Sequence, residues 1–145
     1  ERAKKIAALV KEEDVLVGHS NGGCLSWMIQ KELQSVLGIV LINPALNNDA
    51  EFKNAQWVDV FHNEADDAVW WSKLIPLGHA WGEMGRTGSL QNKIVTNIST
   101  FYRTVQGKKI EEDLPMLKGH TEFFDSDKIF KWAAFLVKRV VNHGQ

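Results

Sequence analysis

The chain has 145 residues, a formal net charge of −1, 44% hydrophobic residues and 24% charged ones. That balance describes one folded domain over residues 1–145 rather than a disordered segment, and it leaves no basic face for nucleic acid or an anionic membrane. No apolar run is long enough to span a membrane, and Cys24, the only cysteine, excludes an internal disulfide and a cysteine-based zinc site.

Taken in chain order, residues 2–10 predict a short amphipathic helix, with Ile6, Leu9 and Val10 on one face. Val15-Leu16-Val17 is a compact apolar strand ended by Gly18, and residues 21–33 predict a helix with Leu25, Met28 and Ile29 on one side. Residues 37–42 form an unalternating apolar strand closed by Asn43-Pro44, the pattern of a parallel strand covered on both faces. Residues 57–61 predict a third strand and 67–74 a short helix, followed by a loop punctuated by Gly78, Gly82, Gly85 and Gly88. The β-branched residues of 93–101 predict a fourth strand. Residues 126–141 predict a long helix whose Ile129, Trp132, Ala133, Leu136, Val137 and Val140 recur at helical spacing. Strands alternating with helices imply an α/β fold, a mostly parallel sheet with helices on both faces. In such sheets function gathers just beyond the carboxyl ends of the strands.

Beyond the first strand stands Gly18-His19-Ser20-Asn21-Gly22, a G-x-S-x-G sequence between a strand and a helix. A serine nucleophile must project from a tight turn, and small flanking residues let strand and helix approach without a Cβ clash. The backbone N–H of Asn21 would serve as an oxyanion donor at the positive end of the following helix. Beyond the third strand, Asp66 and Asp67 both qualify as the carboxylate that orients a histidine. Their alternative role is to cap the next helix. Beyond the fourth strand, His120 follows Gly119 on a loop. Serine, aspartate and histidine thus follow separate strands, in that chain order.

On these residues the chain resembles the α/β-hydrolase family. DVLVGHSNGG, residues 14–23, resembles the family's strand, elbow and helix, and LGIVLINPAL, residues 37–46, its next strand and loop. VFHNEADDAV, residues 60–69, is similar to the acid-bearing strand end, and KGHTEFF, residues 118–124, to the histidine loop. The spacing of the family motif assigns the acid to Asp66 and aligns Val69, with Asn63 where the family carries glycine. The resemblance implies a serine hydrolase acting on a small-molecule ester, thioester or amide through Ser20, Asp66 and His120. Asn21 would be its oxyanion donor, and it would use no cofactor. The family has several strands before the elbow, whereas 19 residues precede Ser20 and the chain opens on Glu1. The expectation is therefore a C-terminal hydrolase-like portion whose sheet is completed by an N-terminal segment or a partner chain. An exposed strand edge also allows another reading, a non-catalytic interaction module on the same fold.

The remaining residues carry plainer expectations. Cys24 suits packing against the sheet better than reactivity. His19 is expected to pack or hydrogen-bond under the elbow. His62 and His79 lack ligand-spaced partners, so no metal is expected. The stretch 82–88 lacks the ending of a phosphate-binding loop. Trp70, Trp71 and Trp81 suit either an aromatic acyl pocket or core packing. The charges at Lys108, Lys109 and 111–113 suit a solvated loop. The low cysteine count fits a cytoplasmic setting.

Overall fold

Strand β2, Val36–Ile42, is apolar at nearly every position, and the structure, a computed structural model, buries it on both faces. Described are residues 1–64, 66, 82–91, 93–99, 103–105, 108–110, 120 and 126–143. The helix expected over 67–74, together with Asp67, Trp70, Trp71, His79 and Trp81, lies outside them. So do the neighbours of His120.

β2 is flanked in parallel by β1, Val15–His19, and by β3, Ala55–His62. β4, Val95–Ser99, joins the far side of β3, also in parallel, so the sheet runs β1-β2-β3-β4. The fold is therefore α/β. Among the described residues β1 pairs only with β2, which leaves it at one edge of the sheet with Val17 57% exposed.

Alternate side chains divide the core. Ile39, Leu41, Val58 and Val60 face helix α2, Asn21–Gln30, through Cys24 and Trp27. Helix α1, Arg2–Ala7, covers α2 from outside, where Ala3 and Ala7 meet Ile29. On the opposite face Val40, Ile42, Trp57, Phe61 and Ile98 pack against Phe135, Leu136 and Val140 of the C-terminal helix, Ser126–His143. Gly38 allows the close approach on that face, because a Cβ there would overlap the Trp57 indole.

Several local expectations are revised. α1 and α2 stop before 10 and 33, each running on into turns bonded between residues three apart. The Asn54 side chain donates to the carbonyls of Gln30 and Leu33, closing off α2 and fixing the entry to β3. Met28 is 45% exposed rather than facing the core. On the C-terminal helix Ala133 and Val137 face outward, and the packed stripe passes instead through Phe135, Leu136, Arg139 and Val140. A short helix α3, Met84–Thr87, interrupts the glycine-rich stretch, so the C-terminal helix is α4. Lys108–Ile110 is strand β6, paired antiparallel with β5, Arg103–Val105, rather than loop. No helix among the described residues is long and apolar enough to cross a membrane.

Because β1, β2 and β3 run in register, His19 lies beside Ile42, and Ile42 beside Phe61. Whatever follows β1 and β3 therefore emerges at the same end of the sheet.

Candidate active site

Ser20 is the turn residue between β1 and α2, with φ 53° and ψ −120°. A non-glycine residue there is strained, and such strain persists only where the surroundings over-determine it. Three features do so here. The Ser20 N–H donates to the Ile42 carbonyl at 3.1 Å, while its own carbonyl accepts from Gly23 and Ala45 at 3.0 Å each. Gly18 packs so closely that a Cβ would lie 2.5 Å from the Gly22 carbonyl oxygen. Serine at a helix N-cap normally bonds the first turn's N–H groups; the Ser20 side chain makes no such bond.

Its hydroxyl instead meets His120, whose Nε2 lies 2.9 Å from Ser20 Oγ. The Nδ1–H of the same ring donates to Asp66, 2.9 Å from Oδ2 and 3.0 Å from Oδ1. With the proton on Nδ1, Nε2 is the acceptor and the serine O–H donates to it. Asp66 is fully buried, and the His120 side chain is largely so. The Asp66 N–H donates to the Asn63 carbonyl at 3.0 Å, and the Asn63 N–H to the Gly85 carbonyl at 2.9 Å. The turn beyond β3 is thus pinned to α3. Asn63 does not have positive φ; among the described non-glycine residues only Ser20 and Asn43 do.

The three residues singled out from separate strand ends therefore converge at one place. Asn21 opens α2, where the first N–H groups of a helix have no intrahelical acceptor. A carbonyl carbon brought to Ser20 Oγ would meet a serine O–H already aimed at a base and the positive end of a helix.

The sequence leaves His19 to pack or hydrogen-bond under the elbow. Its Nε2–H donates to the His120 carbonyl at 2.7 Å, and the two rings are 4.9 Å apart between centroids. Burial holds its imidazole below the ordinary histidine value, against the opposing effect of that hydrogen bond. Burial also lowers His62, which donates from Nδ1 to the Arg86 carbonyl at 3.1 Å.

A cavity of about 670 Å³ flanks the elbow between α2 and the loop after β2. Cys24, Trp27, Ala45 and Leu46 contribute apolar walls and Lys31, Glu51 and Lys53 charged ones; Ser20, Asp66 and His120 are not among the described lining residues. Cys24 is half-buried with a free thiol. Among the described residues no group of three His, Cys, Asp or Glu side chains could hold a metal ion.

Sequence reasoning missed a second buried carboxylate. Asp59, on β3, receives Arg139 Nε at 2.5 Å and Nη2 at 3.0 Å, with His143 Nε2 at 3.3 Å from both oxygens. The signal was an aspartate in the middle of an otherwise apolar strand. Comparison of the chain with family models, curated proteins and solved structures gave no match.

Proposed function

We propose that this chain carries the active centre of a serine hydrolase of the α/β-hydrolase type. The carrying observation is the continuous hydrogen-bonded line from Asp66 through His120 to the hydroxyl of the strained Ser20. In this reading Nε2 of His120 takes the Ser20 proton as Oγ attacks a substrate carbonyl. Asp66 holds the tautomer with the proton on Nδ1 and stabilises the imidazolium that forms. The Asn21 N–H donates to the developing oxyanion. His120 then returns its proton to the departing alcohol, thiol or amine. Water, deprotonated by His120, then attacks the acyl carbon; the bond to Oγ breaks, His120 returns the proton to Ser20 Oγ, and a carboxylic acid leaves. The substrate class is a small-molecule ester, thioester or amide, and the steps need no cofactor.

A fluorophosphonate probe is expected to label wild-type protein and not Ser20→Ala. The same substitution is expected to lower turnover of any accepted ester by about 10⁶-fold. Equal labelling of both proteins would remove the proposal.

A second reading, an interaction module on the same fold, draws on β1, whose outer edge pairs with no strand among the described residues. Such an edge offers unpaired backbone N–H and C=O groups to an added strand. The two readings are compatible if an upstream segment or a partner chain supplies that strand. Sedimentation with and without such a segment, alongside ester hydrolysis, separates them. A cytoplasmic location belongs to this proposal as well.

A further inference from the structure

We propose that His19 is a positioning residue that holds the His120 main chain against the elbow; this rests on the serine hydrolase reading. Links of two different kinds join His120 to the turn of Ser20. One is the bond between the Nε2 of His120 and Ser20 Oγ, 2.9 Å long, which changes at every proton transfer. The other joins the His19 side chain to the His120 carbonyl at 2.7 Å and involves no transferred proton.

His19 is the last residue of β1, so its Cα is set by the parallel ladder opposite Ile42. The next residue is the strained Ser20. A donor on this side chain therefore measures the His120 backbone against the sheet rather than against a less constrained segment. Asp66 fixes the His120 ring through Nδ1, but it cannot by itself fix the distance between the His120 backbone and the elbow. A misplacement of about 1 Å between reacting groups costs on the order of 100-fold in rate.

The tautomer matters too. Donation to a carbonyl requires a proton on Nε2 of His19, and neutral imidazole with that proton suffices. Burial disfavours a charged His19 most strongly; the hydrogen bond to the His120 carbonyl favours it, the His120 ring disfavours it and Asp66 favours it, with a net lowering of the imidazole's value. A neutral ring serves the mechanism, because His120 itself becomes cationic 4.9 Å away during each turnover. Like charges so close would oppose that step.

Two substitutions test the tether. His19→Phe keeps an aromatic ring without a donor, and His19→Gln carries an amide N–H at about the reach of the imidazole Nε2. The expected result is a kcat lowered by about 10- to 100-fold in His19→Phe with KM within about twofold, and most of kcat restored in His19→Gln. A kcat within about twofold of wild type in His19→Phe, or a His19→Gln no better than His19→Phe, would overturn the proposal. A third measurement needs no activity and no variant fold. Long-range ¹⁵N–¹H spectra of wild-type imidazoles at neutral pH are expected to give His19 as the neutral form protonated at Nε2. The neutral form protonated at Nδ1, which leaves Nε2 without a proton to donate, would overturn the tether. Failure of wild type to label with fluorophosphonate would instead overturn the hydrolase reading and leave that spectrum to be judged alone.

Discussion

Asp59 and Asp66 are both fully buried, and each accepts a hydrogen bond from an imidazole, yet they build different things. Around Asp59 the guanidinium of Arg139 takes the short bonds, 2.5 and 3.0 Å, and His143 stands off at 3.3 Å. The His143 ring is occupied in another way, stacked on Trp57 with centroids 4.1 Å apart and planes 10° from parallel. Around Asp66 the imidazole of His120 makes the short bonds, and its second nitrogen reaches a serine hydroxyl. A buried carboxylate beside a histidine is thus no mark of chemistry in itself. The difference lies in whether the ring's far nitrogen meets a group that can lose a proton. Asp59 fastens α4 to the sheet; Asp66 orients the His120 ring toward the Ser20 hydroxyl.

The contrast is broken most severely at Asp66. Asp66→Asn is expected to favour the wrong His120 tautomer and to lower kcat by about 10⁴-fold, with thermal unfolding little changed. Steady-state kinetics and calorimetry on the same samples check this. Asp59→Asn is expected to do the reverse. It leaves Arg139 mostly buried without its counter-charge, a loss of about 3 kcal/mol in unfolding free energy. Fluorophosphonate labelling of the folded fraction should keep its wild-type rate. Loss of labelling at unchanged stability would move Asp59 into the active centre. Its removal together with Arg139, as Asp59→Leu and Arg139→Met, should recover most of the stability, because an apolar pair of similar volume often replaces a buried ion pair without loss.

The smallest effect belongs to His62, a histidine on the same strand that bonds a carbonyl instead of a carboxylate. Burial lowers its folded-state value below 6.5, so the unfolded chain takes up a proton first as the solution is acidified. Its contribution to stability is full above pH 6.5 and falls as the pH drops through that value toward the lower folded-state one. Denaturant titrations across pH 5 to 8 should have a shallower acid limb in His62→Gln than in wild type. An unchanged limb would mean that His62 stays solvated.

Much of this arrangement could be read from residue order alone. The run from Val15 through Gly23 signals strand, tight turn and helix locally, and the continuous apolar residues of 37–42 signal a strand buried on both faces. The residues alone leave Asp66 and Asp67 both open, and the motif of the family that the sequence resembles chooses Asp66; His120 comes from its place beyond the fourth strand. What was not legible depends on pairings far apart in the chain. Asp59 and Arg139 are 80 positions apart, and nothing near either one announces the other. Without that pairing, α4 reads as packing through Ala133 and Val137, when Arg139 and His143 instead turn inward to meet Asp59. The short β5 and β6 carry too few residues for their alternation to stand out from a charged loop.

The sheet's order, β1-β2-β3-β4, has a consequence for how the molecule comes into being. Each new strand docks beside the one made just before it, so a chain emerging from the ribosome can assemble its sheet without waiting for distant segments. The turn that exposes Ser20 is closed by bonds reaching no further than Ala45. The imidazole that meets the hydroxyl stands 100 positions beyond the serine. The elbow can therefore take shape before the residue that meets its hydroxyl has been made. His120 comes after every strand of the sheet, and α4, which covers the sheet's second face, comes later still, so the line from Asp66 to Ser20 closes only when the last elements are in place.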